Sequence, residues 1–450
     1  FGDVWLCSGQ SNMVINMERV KEKYAADIAN ANNPQIRNFF IPPTMSKVEV
    51  RTDLPASSWL PVNPENVLQM GAVSYFFARD LYAQYHVPIG IINSSVGGTP
   101  IESWISEAGL KAFPEYVKDT THTNPVPPAP RKSADRGLTE KWASPSYSPK
   151  GWKRFSIPGF WEDQGLRDLN GVVWFRREIE IPEALAGQTA KLFMGRIVDA
   201  DQVFVNGEQV GNITYQYPPR RYNVKSGLLK AGKNLIVIRV TNTAGKGGFV
   251  PDKPYELIVG DKTVDLQGDW IYKVGEVFPP VAEKPAPSNF TPTALYNAMI
   301  APFTSYALKG FVWYQGETNV WKPEVYQQLL PALAKDWRTQ FNQPDLPFLY
   351  VQLPGFQDRT MLPAESNMAV LRDGQLKSLS IPRSGMAVTL DLGEWNDIHP
   401  LTKKPIGERL ALAARKLAYG ENIVSSGPIY ESNQIEGNRI RIRFRETGSG

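Results

Sequence analysis

The chain changes texture twice along its length. From residue 1 to about 117, short apolar runs alternate with stretches of helical periodicity: Val4-Trp5-Leu6-Cys7, helical segments around Glu22 to Ala31 and Ala72 to Tyr85, then Pro88-Ile89-Gly90-Ile91-Ile92-Asn93. The same rhythm returns between about 285 and 425. There Phe311-Val312-Trp313-Tyr314, Phe348-Leu349-Tyr350-Val351 and Gly385-Met386-Ala387-Val388-Thr389-Leu390 read as buried strands and Glu408 to Tyr419 as a closing helix. Apolar strand runs separated by helices predict a parallel sheet covered on both faces, an α/β fold.

The middle differs. Val173 to Pro182, Ala190 to Met194, Asp201 to Gly207 and Asn234 to Val240 are short strand-like segments with turn residues between them, the pattern of an all-β sandwich. Proline-rich stretches bracket it, Asn124 to Pro130 before and Phe278-Pro279-Pro280 through Pro287 after, which read as semi-rigid linkers. The expected division is 1–125 and 285–425 as two parts of one α/β domain, 140–277 as an inserted sandwich, and 426–450 as the start of a further β segment. Arg439-Ile440-Arg441-Ile442-Arg443-Phe444 alternates like a strand of something that continues, and the chain opens inside a strand-like segment without Met, so a leader or upstream domain would lie outside it.

With 450 residues and 42% hydrophobic content the chain can bury a large core, and its length suits two or three domains. Lys plus Arg number 49 against 45 Asp plus Glu, with no block of like charge, which argues against nucleic acid or an anionic membrane as partner. No stretch approaches the roughly 18 consecutive apolar residues of a membrane span. Cys7 is the single cysteine, so neither an intramolecular disulfide nor a cysteine-cluster metal site is available. In its apolar run it is expected to pack as a small hydrophobe.

Three histidines shorten the search for a general base. His86 closes the Ala72 to Tyr85 helix and reads as its C-terminal cap. His122 sits in the polar stretch Thr120 to Pro125, a surface loop by composition. His399, in Asp397-Ile398-His399-Pro400, has an acid beside it and a rigidifying proline behind it; the bland reading is an ordinary turn before a helix. A serine needs such a base to become a nucleophile, and the base needs an orienting partner. Ser11, in Gly9-Gln10-Ser11-Asn12-Met13 just after the first apolar run, is the candidate, although it is not the α/β-hydrolase elbow, which wants glycine where Met13 stands.

Four blocks in order give the pattern more weight than any one of them. Gly9 to Met13, Ser95-Val96-Gly97-Gly98-Thr99-Pro100-Ile101-Glu102-Ser103-Trp104, Trp313-Tyr314-Gln315-Gly316-Glu317-Thr318-Asn319 and Asp397 to Pro400 together resemble the SGNH (GDSL-like) hydrolases, and more closely the sialate O-acetylesterase family of carbohydrate esterases. The resemblance implies a flavodoxin-like parallel sheet with helices on both faces, Ser11 as nucleophile, His399 as base and Asp397 as its orienter. Oxyanion donors would be the backbone N–H of Ser11, that of Gly97 with Gly98 in reserve, and a side-chain amide from Gln315 or Asn319. The base block departs from the wider superfamily in placing Asp two rather than three before His, so Asp391, Glu394 or a backbone carbonyl stays open as orienter, and so does a Ser-His dyad. Glu102 and Glu317 would anchor loops, and Gly98, Glu317 and Arg372 would touch substrate. Arg372 and Gln375 resemble a polar helix face near the family's site, with a surface salt bridge as the alternative for Arg372.

The segment around Gly159-Phe160-Trp161-Glu162 and Val173 to Arg177 resembles a galactose-binding-like jelly roll. Its aromatics could stack on sugar, its tryptophans could fill its core, which for a strand tryptophan is the commoner fate, or the lobe could overhang Ser11 and complete a groove. The reading as a whole is a carbohydrate O-acetylesterase that acts on acetylated sialic acid or acetylated plant oligosaccharide, with no metal or organic cofactor. The rivals are a general esterase or lipase and a silent glycan-binding protein. By the same resemblance the protein is expected in the periplasm or outside the cell; its oligomeric state is not legible.

Overall fold

The computed structural model describes residues 2–117, 134–279, 291–357 and 360–448. It divides into two compact units, one made of Phe1–Asn124 with Pro287–Gly450 and the other of Pro125–Ala286. His122 and most of both proline-rich connections lie outside the described residues.

The first unit is built on a seven-stranded sheet. Asp3–Gly9 lies at its centre, with Ile89–Ser95, Asn33–Phe40 and Trp59–Val62 added in that order on one side and Gly310–Tyr314, Phe348–Val351 and Ser384–Ala387 on the other. All neighbours are parallel except the Trp59–Val62 edge. That antiparallel edge departs from the wholly parallel sheet expected from sequence. It carries Pro61, which cannot donate to a ladder and is tolerated at an edge. Asn33–Phe40 escaped the apolar-run criterion because polar residues alternate through it and only Ile36 and Asn38 are buried within it.

The central strand is buried from Trp5 through Gly9, as a sheet covered on both faces requires. Helices Ala72–Tyr85 and Lys404–Leu417 bury Phe76, Phe77, Leu81, Leu410 and Ala414 in the same core, and Pro323–Gln340 adds Leu329, Leu333 and Trp337. His86 caps the first of these helices in the left-handed region, its N–H on the Tyr82 carbonyl at 2.8 Å. Cys7 is buried in the core as expected, and burial pushes its thiol well above the usual range. The end of this unit is a hairpin, Ile429–Glu436 paired antiparallel with Arg439–Arg445. No helix among the described residues is long and apolar enough to cross a membrane.

The second unit is the β-sandwich. A six-stranded antiparallel sheet runs, in spatial order, Glu208–Ile213, Ala200–Val205, Gly232–Asn242, Gly171–Ile181, Gly268–Val277 and Lys153–Ile157. A four-stranded sheet runs Arg221–Val224, Ala190–Met194, Tyr255–Val259 and Lys262–Asp265. Side chains from both sheets, among them Phe175, Val203, Ile238, Leu192, Tyr222 and Leu257, share one core. The Gly171–Ile181 strand is buried on both faces where it begins, Val173 and Phe175 pointing into that core while Val172 and Trp174 pack with Trp142 and Val237 in a smaller one. Trp161 and Trp174 are both buried, so they fill cores and offer no open face to a sugar.

Candidate active site

Register brings the sequence blocks together. In the parallel sheet Gly9 pairs with Tyr314 on one side and with Ser95 on the other, so three strands end level. The residues that follow them are Gln10-Ser11, Gln315-Gly316-Glu317 and Val96-Gly97-Gly98. Strands are added on both sides of the first one, so these loops occupy the carboxyl edge where the chain order switches direction, the usual binding crevice of open α/β sheets.

Gly9 is required here by close approach: at φ 140° a Cβ on it would stand 2.1 Å from the Tyr314 carbonyl oxygen. Gln10 then turns the chain, its N–H on Tyr314 O at 3.0 Å and its Oε1 accepting from the N–H groups of Gly316 and Thr318 at 3.3 Å each. Ser11 opens the short helix Ser11–Val14 and is partly exposed.

Its Oγ lies 2.7 Å from His399 Nε2, across 388 positions of sequence. This is the separation a base needs to take a hydroxyl proton. His399 and Asp397 are nearly buried, at 6% and 2% exposure, and Asp397 Oδ1 accepts from the backbone N–H of His399 at 2.9 Å. The loop carrying them is braced by Asp397 N–H on Glu394 O at 3.1 Å and Leu401 N–H on Glu394 Oε1 at 2.8 Å. Asp391, an alternative orienter, is engaged elsewhere in a two-pronged ion pair with Arg409 at 2.6 and 2.7 Å. That pair holds its carboxyl below the usual range.

Gly97 faces the nucleophile: a methyl at its Cα would stand 3.5 Å from Ser11 Cβ, and both Gly97 and Gly98 are exposed. Gly98 has φ 73° and meets nothing within 4 Å, a left-handed turn open on its outer side. The turn is tied back by Thr99 Oγ1 on Val96 O and by Trp104 Nε1 on Thr99 Oγ1.

The two amides expected near the oxyanion are buried and linked to each other. Gln315 Nε2 donates to Thr99 O at 3.0 Å and to Asn319 Oδ1 at 2.7 Å, while Asn319 Nδ2 donates to Glu102 Oε2 at 2.9 Å. In this arrangement they join the glycine turn to the third block. Glu102, whose carboxyl burial raises, anchors Asn319. Gln375 supports the same region from the helix Asn367–Lys377, accepting from Leu353 N–H and donating to Gln315 O and Val351 O. Arg372, one turn earlier, is half-buried with its guanidinium 3.4 Å from Pro354 O and forms no ion pair among the described residues. Burial lowers its pKa.

Glu317 is turned inward. Its Oε1 accepts from Asn12 Nδ2 at 2.5 Å, its Oε2 is buried, and burial raises its pKa. The expectation that it touches substrate therefore has no support in the geometry, whereas the alternative role of loop anchor does. Two contributors were not singled out in the sequence, Asn12 and Lys403, which meet through Lys403 Nζ and Asn12 Oδ1 at 2.5 Å. No local signal marked either of them: Asn12 sits inside the Gly9 to Met13 block beside Ser11, and Lys403 lies four positions after His399 next to a second lysine, Lys404. Among the described residues no group of three or more His, Cys, Asp or Glu side chains converges to hold a metal ion.

Comparison with known proteins agrees with this division of the chain. The "carbohydrate esterase, sialic acid-specific acetylesterase" family model matches residues 1–125 and 284–416. The sialate O-acetylesterases of Pongo abelii and Rattus norvegicus are 24% and 26% identical over 461 and 455 residues, covering 97% and 95% of this chain. This chain spans 57% and 59% of their length. A crystal structure described as a novel carbohydrate acetylesterase from Xanthomonas citri is 25% identical, covers 99% of this chain and 63% of its own, and superposes with a TM-score of 0.57. Because the match falls on the two stretches that build the seven-stranded sheet and bring Ser11 to His399, this chain belongs to the sialic acid-specific acetylesterase family of carbohydrate esterases.

Proposed function

We propose that the protein is a carbohydrate O-acetylesterase working through an acetyl-enzyme. The observation that carries this reading is the 2.7 Å contact of Ser11 Oγ with His399 Nε2 at the carboxyl edge of the sheet. Ser11 Oγ attacks the acetyl carbonyl carbon while its proton passes to His399 Nε2. In this scheme the backbone N–H groups of Ser11 and Gly97 donate to the oxygen that becomes negative, each such donor being worth about 3 kcal/mol of transition-state stabilisation. Collapse expels the sugar oxygen, which takes the proton from His399, and leaves acetyl-Ser11. Water, deprotonated by His399, then attacks the same carbon and releases acetate and the serine. Gln315 and Asn319 hold the glycine turn in position for these steps.

Asp397 is read as the orienter of His399 through the backbone bond it accepts. Asparagine can accept that bond too, so Asp397→Asn is expected to lower kcat clearly less than loss of the imidazole does, for which roughly 10⁴-fold or more is expected. If Asp397→Asn matches His399→Ala while changes at Asp391 and Glu394 are silent, the carboxylate charge itself is needed and the dyad is wrong.

Acetylated sugars are the proposed substrates, acetylated sialic acid first among them because the curated relatives carry that name. Arg372, half-buried and without a carboxylate partner among the described residues, suits an acidic sugar. The deciding experiment is acetate release from a panel of acetylated sialic acids, xylo-oligosaccharides and xyloglucan fragments. No release from any of them, with the protein folded, would favour the silent glycan-binding protein.

Every residue assigned a catalytic part lies in the first unit, so excision of about 140–277 is expected to leave hydrolysis of a small acetyl ester within roughly tenfold of the parent, and to reduce deacetylation of oligosaccharides more strongly. Equal losses on both substrates in a folded deletion protein would show that the sandwich contributes to the catalytic centre.

A further inference from the structure

Behind the Ser11–His399 pair lies a buried cluster that the ester chemistry leaves unused. Asn12 and Lys403 both have no exposed surface. The Asn12 amide is used on both ends: Oδ1 accepts from Lys403 Nζ, while Nδ2 donates to Glu317 Oε1 and, at 3.0 Å, to the Ile398 carbonyl. Asn12 follows Ser11 and Ile398 precedes His399, so one side chain joins the nucleophile's turn to the base's loop.

An amide can be turned over, exchanging its oxygen for its NH₂. Here an ammonium on one side and a carboxylate and a carbonyl on the other leave one orientation in which every contact is favourable. Burying a lysine and a glutamate is expensive even when they are paired, and apolar side chains of similar volume would usually be no less stable. What the charged groups supply and apolar ones could not is the direction of the amide.

We propose that Lys403 is a positioning residue: by fixing the Asn12 amide against Glu317 and the Ile398 carbonyl, it holds His399 on Ser11, so that turnover depends on it and substrate binding does not. The inference rests on the Ser11–His399 reading of the reaction.

The groups facing Lys403 are Glu317 after the Gly310–Tyr314 strand, Asp397 and Glu394 from the base loop, and Arg19 from the turn Met17–Val20. The Tyr314 ring lies 5.5 Å from its Nζ, and the Tyr24 hydroxyl accepts its backbone N–H at 3.0 Å. Burial pulls the Lys403 ammonium down to about 7, opposed by Glu317 and Asp397. As pH rises through that value Lys403 loses its charge, the hold on Asn12 weakens, and kcat is expected to fall. Stability moves the other way. An unfolded lysine keeps its proton to about pH 10.4, so above about 7 the unfolded state binds more protons and folding becomes more favourable as pH rises. Cys7 acts in the opposite sense above about pH 8.5, which bounds the useful window from above.

The test measures kcat, KM and the melting midpoint from about pH 6 to 9 on a small acetyl ester for the parent, Lys403→Met and Glu317→Gln. Lys403→Met should lose about tenfold or more in kcat with KM within about twofold, and should lack both the alkaline fall in kcat and the rise in midpoint between about pH 7 and 8.5. Glu317→Gln should move the alkaline fall to lower pH, because it removes the charge that most opposes the effect of burial on Lys403. A Lys403→Met protein with parental kcat overturns the proposal, and so does one that is slow but keeps the alkaline fall, which is mere packing damage. Should Lys403→Met not fold, the parent decides: kcat flat between about pH 7 and 9 overturns the proposal, and kcat falling while the midpoint rises supports it. Full activity in Lys403→Met beside a dead Ser11→Ala defeats this inference alone, whereas activity in Ser11→Ala defeats the reading beneath it.

Discussion

Ser11→Ala is expected to lower kcat on a small acetyl ester by roughly 10⁴-fold or more while the protein melts close to the parent. The hydroxyl is partly exposed and its contact is with His399 Nε2, so its removal opens no cavity in the core. The turn that presents it is fixed by backbone groups and by Gln10, none of which the substitution touches. What disappears is the atom that forms the acyl bond. The glycine turn and the Gln315–Asn319 amides remain, so substrate binding should survive in the variant and be measurable by competition. Retention of more than about a tenth of parental activity would remove Ser11 as nucleophile, since a nucleophile and its base act as a unit.

The second large effect is expected at His399. His399→Ala should approach the loss seen for Ser11→Ala, and the double variant should be little worse than either single one. Non-additivity is the informative part. If the two losses multiplied, Ser11 and His399 would be acting in separate steps. In the parent, kcat/KM should decline on the acid side with a single ionisation, because only neutral imidazole accepts the serine proton. Acid inactivation that follows the melting curve instead would assign the decline to unfolding.

Fold class was legible because buried strands leave continuous apolar runs: Val4 to Cys7, Phe311 to Tyr314 and Phe348 to Val351 all became strands of the central sheet. The change to short alternating strands announced the second unit for the same reason, since a sandwich strand buries one face. The edge of the central sheet was less legible. Asn33–Phe40 and Trp59–Val62 lie where burial is partial and polar residues or Pro61 intervene, so no apolar run marks them. Ser11 and His399 stood out by scarcity, with three histidines in the chain and one beside an acid.

Sequence by itself thus determined the α/β core, the inserted sandwich, and which serine and histidine to bring together. Tertiary structure alone decided which way the polar side chains of the blocks face. Glu317 and Asn12 lie in blocks already noticed, yet whether a carboxylate points to substrate or to a buried amide depends on neighbours hundreds of positions away. Lys403 shows the limit most clearly, because nothing local to Lys403-Lys404 distinguishes a buried ammonium from a solvent-exposed one: Lys403 has no exposed surface and meets Asn12, while Lys404 beside it is only part-buried and pairs with Asp27. Apolar patterning fixes burial through short-range periodicity, whereas the partner of a buried polar group is set by the register of strands and loops distant in sequence.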